Sequence, residues 1–143
     1  MEENVSTVLW ANVLVGGVVR SEQEDRSALY RYAEKLDTIA KSLGLPSVLA
    51  ICDETDVRFN MEDLDLPDGM ESTNDVMAAS GAWLPRADAL SLLQGLLAHI
   101  QAAKTRFGLV NNRHQSVVDE LSGVLAFLQA ETRAEKFNFC VVM

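Results

Sequence analysis

Apolar residues follow one pattern at the two ends of the chain and another between them. From Val5 to Val19 the residues are mostly apolar, many of them β-branched, and lack helical spacing. This pattern predicts a strand that is covered on both faces and that Gly16 and Gly17 bend near its end. The ending KFNFCVVM, from Lys136 to Met143, places apolar side chains at alternate positions. It predicts a second strand.

Three segments repeat apolar residues at spacings of three and four, which predicts three long helices. The first runs from about Glu22 to Leu43 and begins at a capping box, in which Ser21 and Glu24 satisfy two amide donors. The second runs from Pro85 to about Lys104, and the third from about His114 to Ala134. Together with the terminal strands, these helices indicate a mixed α and β protein.

The chain between the first two helices is less regular. Ser47 to Cys52 is too short for periodicity to distinguish a buried helix capped by Ser47 from a strand. Asp53 to Asp75 is an acidic connection, in which Val57 to Met61 could supply a third short strand.

These elements predict an α+β fold, in a single domain that spans residues 1–143. Two strands do not make a stable sheet alone. We therefore expect the terminal strands to pair in a small sheet, with the three long helices packed on one side. Exposed sheet edges would favour a homodimer.

Composition supports a folded domain and restricts its partners. A chain of 143 residues with 48% hydrophobic content can bury a core without disulfides or metals. Its formal net charge of −9 opposes binding to nucleic acid and to anionic membranes, because both attract basic surfaces. A basic protein or a cation is the partner that this charge favours.

The two cysteines and the apolar segments indicate a cytoplasmic protein. Cys52 and Cys140 are far apart in the sequence, which fits neither a zinc cluster nor a disulfide framework. The longest apolar stretch, VLWANVLVGGVV, is too short to span a bilayer as a helix, and the preceding MEEN is acidic where a secretory signal is basic.

The acidic connection is the leading candidate for a binding surface. Between Asp53 and Asp75 it contains nine acidic residues and one basic residue, so it carries nearly all of the net charge. DLDLPDGMESTN resembles a calcium loop, but its glycine arrives one residue late and Asn74 stands where the last ligand should be glutamate. We therefore predict no metal or cofactor, and a surface for a basic partner centred on Glu62, Asp63, Asp65 and Asp68.

The last four residues, CVVM, have the residue types of a prenylation signal at Cys140. Stable anchoring needs a second signal, such as a polybasic segment, and none precedes this tail. Since CVVM also continues the alternation begun by Phe137 and Phe139, a strand explains it with fewer assumptions. Prenylation remains the less favoured interpretation.

A few other residues suggest a small pocket. Asn12, Cys52 and His99 could line one between the sheet and the helices, and a cysteine with His99 could form a nucleophilic dyad, although no activating motif accompanies either. Asn12 and Asn138 each interrupt an apolar strand, so we expect their side chains to meet across the sheet or to bond nearby backbone.

The order of these elements, with a first helix closing on LGLP, a tryptophan and a proline before the next and an aromatic final strand, resembles small bacterial cytosolic proteins of unassigned function. The resemblance implies no activity and carries over no site residues. The leading hypothesis is a non-enzymatic interaction module, for example an inhibitor of the immunity or antitoxin type. A small-molecule binder or enzyme, and a prenylated protein, are the alternatives.

Overall fold

A computed structural model describes residues 7–143. Within them, six helices and a five-stranded sheet form a mixed α+β fold. The strands are β1 (Val8–Val15), β2 (Val18–Ser21), β3 (Cys52–Asp53), β4 (Leu84–Pro85) and β5 (Lys136–Val142). The helices are α1 (Ser27–Arg31), α2 (Ala33–Ser42), α3 (Thr55–Met61), α4 (Thr73–Ser80), α5 (Arg86–Ala103) and α6 (His114–Ala130).

The two terminal strands lie side by side at the centre of the sheet, as the sequence predicted. The strand order is β2-β1-β5-β3, and β4 also pairs with β5. β1 and β5 are antiparallel, with Val8 opposite Val142 and Asn12 opposite Asn138. β3 is parallel to β5, which makes it the exception in a mainly antiparallel sheet.

The long N-terminal strand predicted from Val5 to Val19 is instead a hairpin; Val5 itself lies outside the described residues. Gly16 and Gly17 form its turn, with φ angles of 56° and 80°. Positive φ at both central residues is the requirement of a type I′ turn, which suits a two-residue hairpin loop. The glycine pair therefore reverses the chain and does not merely bend it.

The first helix begins later than the capping-box pattern predicted. Ser21 ends β2, and its hydroxyl donates a hydrogen bond to Asn12 Oδ1 at 2.5 Å. The helix begins at Ser27 and is interrupted at Tyr32. Its first amide donors are satisfied by a side chain distant in sequence, which the local pattern could not reveal. Glu120 accepts hydrogen bonds from the backbone N–H groups of Ala28 and Leu29 at 3.2 and 3.0 Å.

One face of the sheet and the long helices enclose the main hydrophobic core. α1, α2, α5 and α6 pack on this face. The sheet contributes Leu9, Ala11, Val13, Phe137, Phe139 and Val141. The space between the two layers holds a cavity of only about 10 Å³, so this core is filled.

The opposite face of the sheet is also covered, which the sequence did not predict. α3 packs against β5, and α4 against β2. α3 replaces the short strand predicted from Val57 to Met61, and no strand is present at that position. The hydroxyl of Thr73 at the start of α4 donates to Asp56 Oδ1 at 2.8 Å, which joins the two short helices. The acidic connection is therefore partly helical.

The segment from Ser47 to Cys52 combines the two structures that the sequence left open. A short 3-10 turn, Leu49–Ile51, is followed by β3. Ser47 Oγ accepts a hydrogen bond from the N–H of Ala50 at 3.1 Å, but the N-cap position of the turn is occupied by Val48 and not by Ser47 as expected.

Candidate interaction surface

The most exposed continuous part of the acidic connection is residues 60–69, which comprise the last two residues of α3 and the loop that follows it, and which we call the acidic loop. Every residue in it is exposed. It contains all four residues that the sequence placed at a partner-binding surface, which are Glu62, Asp63, Asp65 and Asp68. These four carboxylates therefore lie together on one exposed segment.

Apolar side chains alternate with these acids and share their exposure. Met61 is 68% exposed, Leu64 41% and Leu66 36%. The binding surface predicted from the sequence included only acidic residues and did not include these three. The signal was present in MEDLDLPDG, where apolar residues alternate with acids beside a proline and a glycine, in a segment too polar for a core strand.

The loop is held at both ends. The N–H of Glu62 donates to the carbonyl of Arg58 at 3.0 Å, and that of Leu64 to Phe59 at 3.1 Å, so the chain leaves α3 in a defined direction. On the other side, the N–H of Glu71 donates to Asp75 Oδ2 at 2.8 Å. Anchored ends restrict the conformations of an exposed loop and lower the entropy lost when it binds.

The charges of the acidic loop are mostly unneutralised. Arg58 and Glu62 lie 4.0 Å apart and are both well exposed, so their attraction is weak. Among the described residues, no salt bridge includes Asp63, Asp65 or Asp68. Residues 7–143 also contain no group of three or more potential metal ligands.

The three residues predicted to line a pocket lie on different parts of the fold. Asn12 lies on the sheet face that α3 and α4 cover, whereas Cys52 packs against the main core on the other face. His99 is on α5 and lines neither of the surface cavities that Cys52 borders. The space between the sheet and the long helices is lined by apolar residues alone.

Asn12 and Asn138 meet across the sheet, as the sequence predicted. Asn12 Nδ2 donates to Asn138 Oδ1 at 3.1 Å, and Asn138 Nδ2 donates to the carbonyl of Ala82 at 2.8 Å. Ser21 satisfies Asn12 Oδ1. These polar groups are buried but paired, so they join β1, β5 and the chain after α4 instead of forming a vacant binding site.

Neither thiol has the properties of a nucleophile. Burial raises the pKa of Cys52 to about 12, with a further contribution from the negative charges of Asp37 and Glu54. Burial likewise raises the pKa of Cys140 to about 12, and Asp56 and Asp53 add to the effect. Both thiols are therefore protonated near neutral pH, whereas thiol catalysis requires the thiolate.

The position of Cys140 also bears on prenylation. Its side chain is buried, and its strand is paired with β1 on one side and with β3 on the other. A transferase would reach the sulfur only after β5 had left the sheet.

Comparison of the chain with protein-family models, curated proteins and solved structures finds no match. No helix within residues 7–143 is both long enough and apolar enough to cross a membrane.

Proposed function

We propose that this protein is a cytosolic, non-enzymatic interaction module whose acidic loop binds a basic surface on a protein partner. The observation that carries this proposal is the composition of the loop, in which ten consecutive exposed residues combine four carboxylates with three exposed apolar side chains. The two free cysteines agree with a reducing compartment.

The two kinds of side chain would have different roles in the complex. Exposed ion pairs contribute only about 0.2–1 kcal/mol each, but they accelerate encounter and select the partner. Burial of Met61, Leu64 and Leu66 would supply most of the affinity, since a fully buried side chain of this size contributes about 1.5–3 kcal/mol. The partner should therefore present an apolar patch surrounded by Lys and Arg.

An inhibitor of the immunity or antitoxin type is one specific form of this function. An exposed loop with anchored ends could enter a basic cleft and block it sterically, without any chemical step. Acidic side chains would give fast association with a basic toxin.

A catalytic function is less well supported. The layer between the sheet and the long helices is filled, the thiols are protonated, and the candidate pocket residues lie on different parts of the fold. Prenylation is also less well supported, because it requires removal of a central strand from the sheet.

The proposal is tested by placing a photo-crosslinking amino acid at Leu64 and exposing cells that naturally produce the protein to light. We expect an adduct with a partner whose contacting surface is basic. Val18 provides the matched control, because it is 63% exposed but lies in β2. Absence of adducts at Leu64, or the same adducts at both positions, would overturn the proposal.

Association kinetics with the captured partner then test the charges. Glu62→Gln, Asp63→Asn and Asp65→Asn together should lower the association rate constant about 10-fold or more at low salt, with a smaller change in dissociation. The control replaces three exposed acids elsewhere, Glu24→Gln, Asp119→Asn and Glu135→Gln, and alters the net charge by the same amount. Equal effects of the two variants would exclude a specific role for the loop.

A further inference from the structure

A basic surface is present on this acidic protein, at the end of the molecule where α5 connects to α6. Five of the chain's 12 basic residues lie in or beside the connection between residues 104 and 113: three belong to it, one borders a cavity with Leu109 and Val110, and one donates a hydrogen bond to the carbonyl of Arg106. We call this region the basic tip. The five residues are Arg31, Lys35, Lys104, Arg106 and Arg113. They come from two distant parts of the sequence, so the sequence alone does not reveal the cluster.

Two apolar residues stand at the centre of the basic tip. Leu109 is 97% exposed and Val110 is 88% exposed. Adjacent exposed apolar residues can be tolerated in a mobile loop, but here the backbone is held by many hydrogen bonds. A fixed, exposed apolar pair is a feature of binding surfaces.

Several contacts fix this loop. Arg106 donates from Nε to the carbonyl of Gly108 at 3.1 Å and from Nη2 to that of Leu109 at 3.2 Å. Asn112 Oδ1 accepts from the N–H groups of Phe107 and His114, both at 3.0 Å. Gly108 has a φ of 97°, and a Cβ there would lie 2.5 Å from the carbonyl oxygen of Asn111. These contacts restrict the backbone on both sides of the apolar pair.

Beside the apolar pair, two shallow cavities of about 270 and 380 Å³ share Arg31, Tyr32 and Arg113 as lining residues. The salt bridges described within residues 7–143 include neither of these arginines. The carboxylate of Glu120 also borders one cavity, but it already accepts two hydrogen bonds from the start of α1. Arg31 and Arg113 are both exposed, so carboxylates from outside can reach their guanidinium groups.

We propose that the acidic loop of one copy of this protein binds the basic tip of a second copy. This inference rests on the proposed function, because it identifies the basic partner surface of the acidic loop. The two surfaces are complementary, because each combines exposed apolar side chains with charges of one sign. In the acidic loop, Met61, Leu64 and Leu66 lie among carboxylates. In the basic tip, Leu109 and Val110 lie among basic side chains. Carboxylates such as Asp63 and Asp65 would enter the cavities beside Arg31 and Arg113.

The two surfaces of one molecule do not satisfy each other. The acidic loop follows α3, on one face of the sheet, and the basic tip connects two helices that pack on the opposite face. The contact therefore joins the acidic loop of one copy to the basic tip of the other. In a dimer, one acidic loop and one basic tip remain unbound. Such a head-to-tail contact extends into longer oligomers with rising concentration unless a ring closes.

The net charge of −9 does not prevent this contact. At physiological salt the Debye length is about 8 Å, so the charges within the contact outweigh those on the rest of the surface. A dimer formed through sheet edges is less favoured, because β2 and β3 offer only four and two residues of strand. The small apolar area indicates a weak, reversible assembly.

Sedimentation velocity of the full chain at about 10 µM to 1 mM provides the test, since weak contacts of this size have micromolar or weaker affinity. We expect the average mass of the wild type to rise across this range. An acidic-loop variant, Glu62→Gln with Asp63→Asn and Asp65→Asn, should remain monomeric. A tip variant, Leu109→Ser with Arg113→Gln, should also remain monomeric.

A mixture of the two variants gives the decisive result. Each retains the surface that the other lacks, so an equimolar mixture should form a one-to-one dimer and no larger species. The control variant, Val18→Ser with Arg133→Gln, makes the same types of change at other exposed positions and should assemble like the wild type.

Several outcomes would overturn the inference and leave the proposed function standing. These are a monomeric wild type at 1 mM, a tip variant that still assembles, or a control variant that does not. The proposed function fails if the cross-linker at Leu64 captures no basic surface, on another protein or on a second copy, or if it captures the same surfaces as the control at Val18. If the proposed function and the contact between copies are both correct, the cross-linker at Leu64 captures residues 104–113 of a second copy.

Discussion

At the scale of single residues, a buried carboxylate has a clear structural role away from the binding surfaces. Asp37 is 4% exposed and lies in α2. Its Oδ1 accepts hydrogen bonds from Ser47 Oγ at 2.6 Å, and from the N–H groups of Val48 and Leu49 at 2.8 and 3.2 Å. Lys41 Nζ lies 3.0 Å from Oδ2. Asp37 therefore holds the chain after α2 against that helix.

These contacts make the stability dependent on pH. Burial alone would raise the pKa of Asp37. Its hydrogen bonds outweigh this effect, together with the positive charge of Lys41, and they lower the pKa from 3.8 to about 2; the donors are Ser47, Lys41 and the N–H of Leu49. Because the folded state has the lower pKa, the stabilisation is complete above about pH 4 and is lost as the pH falls through about 2. Asp37→Asn should remove this dependence and lower the free energy of unfolding at pH 7 by about 1–3 kcal/mol.

Urea unfolding between pH 7 and 2 measures both effects. Glu34→Gln, an exposed change on the same helix, is the control. An Asp37→Asn variant that lost stability with falling pH as steeply as the wild type would contradict this account.

The sequence identified some buried polar residues and missed others, for a physical reason. Asn12 and Asn138 were recognised because a polar residue stands out in an apolar strand, and strands from the two ends of the chain were expected to pair. Asp37 looked like one more polar residue on a helix. Its burial depends on the folding of residues 47–49 over it, which no periodicity encodes.

At the scale of elements, β5 should be indispensable. Ending the chain at Phe139 would remove Cys140 and Val141, both 6% exposed, and would leave Val8 to Trp10 without partners on that side. We expect a loss of about 3–6 kcal/mol in the free energy of unfolding, from about 1.5–3 kcal/mol for each buried side chain. Thermal and urea unfolding of the purified chains measure it.

A chain ending at Val142 is the matched control, because Met143 is 56% exposed and should contribute little. If the chain ending at Phe139 melted with the full chain, the tail would not be a structural strand. Incubation with a farnesyltransferase would then test CVVM directly.

The predicted elements were most accurate where one pattern extended over many residues. The apolar repeats predicted α5 closely and the start of α6, and alternation predicted β5. The errors lie where contacts distant in sequence decide the structure. α1 begins at Ser27, where Glu120 supplies the cap, and α3 and α4 have too few buried residues to show an apolar stripe.

At the scale of the whole molecule, sequence and structure give different pictures of charge. A net charge of −9 predicts an acidic protein with a basic partner. Folding separates the acidic loop from a basic tip assembled from two stretches far apart in the chain, residues 31–35 and 104–113. The net charge therefore does not indicate that the protein has two surfaces of opposite charge. Only the acidic one is continuous in sequence and could be predicted from it.

The pairing of the two terminal strands predicts that the protein can be circularly permuted, with new termini in the acidic loop. Val8 lies opposite Val142, so a short Gly-Ser linker from Met143 to Met1 would make β1 and β5 neighbours in sequence. New termini between Pro67 and Asp68 would interrupt exposed backbone and one turn hydrogen bond, from the N–H of Met70 to the carbonyl of Pro67 at 3.1 Å. We expect this circular permutant to keep its free energy of unfolding within about 1–2 kcal/mol. It should also fold faster, because the most distant strand pairing becomes local.

Stopped-flow refolding and urea unfolding of this permutant separate the structural and binding roles of the acidic loop. The control permutant uses the same linker, but its new termini lie between Thr132 and Arg133. This cut is next to the buried Ala134 and close to a backbone hydrogen bond, in which the N–H of Glu135 donates to the carbonyl of Leu14 at 2.8 Å. It should be the less stable of the two. If opening the acidic loop were the more damaging cut, the loop would be part of the folding core, and its exposed apolar side chains would need a structural explanation. If the loop can be cut without loss of stability, its acids and apolar residues are not required by the fold, which is the property expected of a surface whose function is binding.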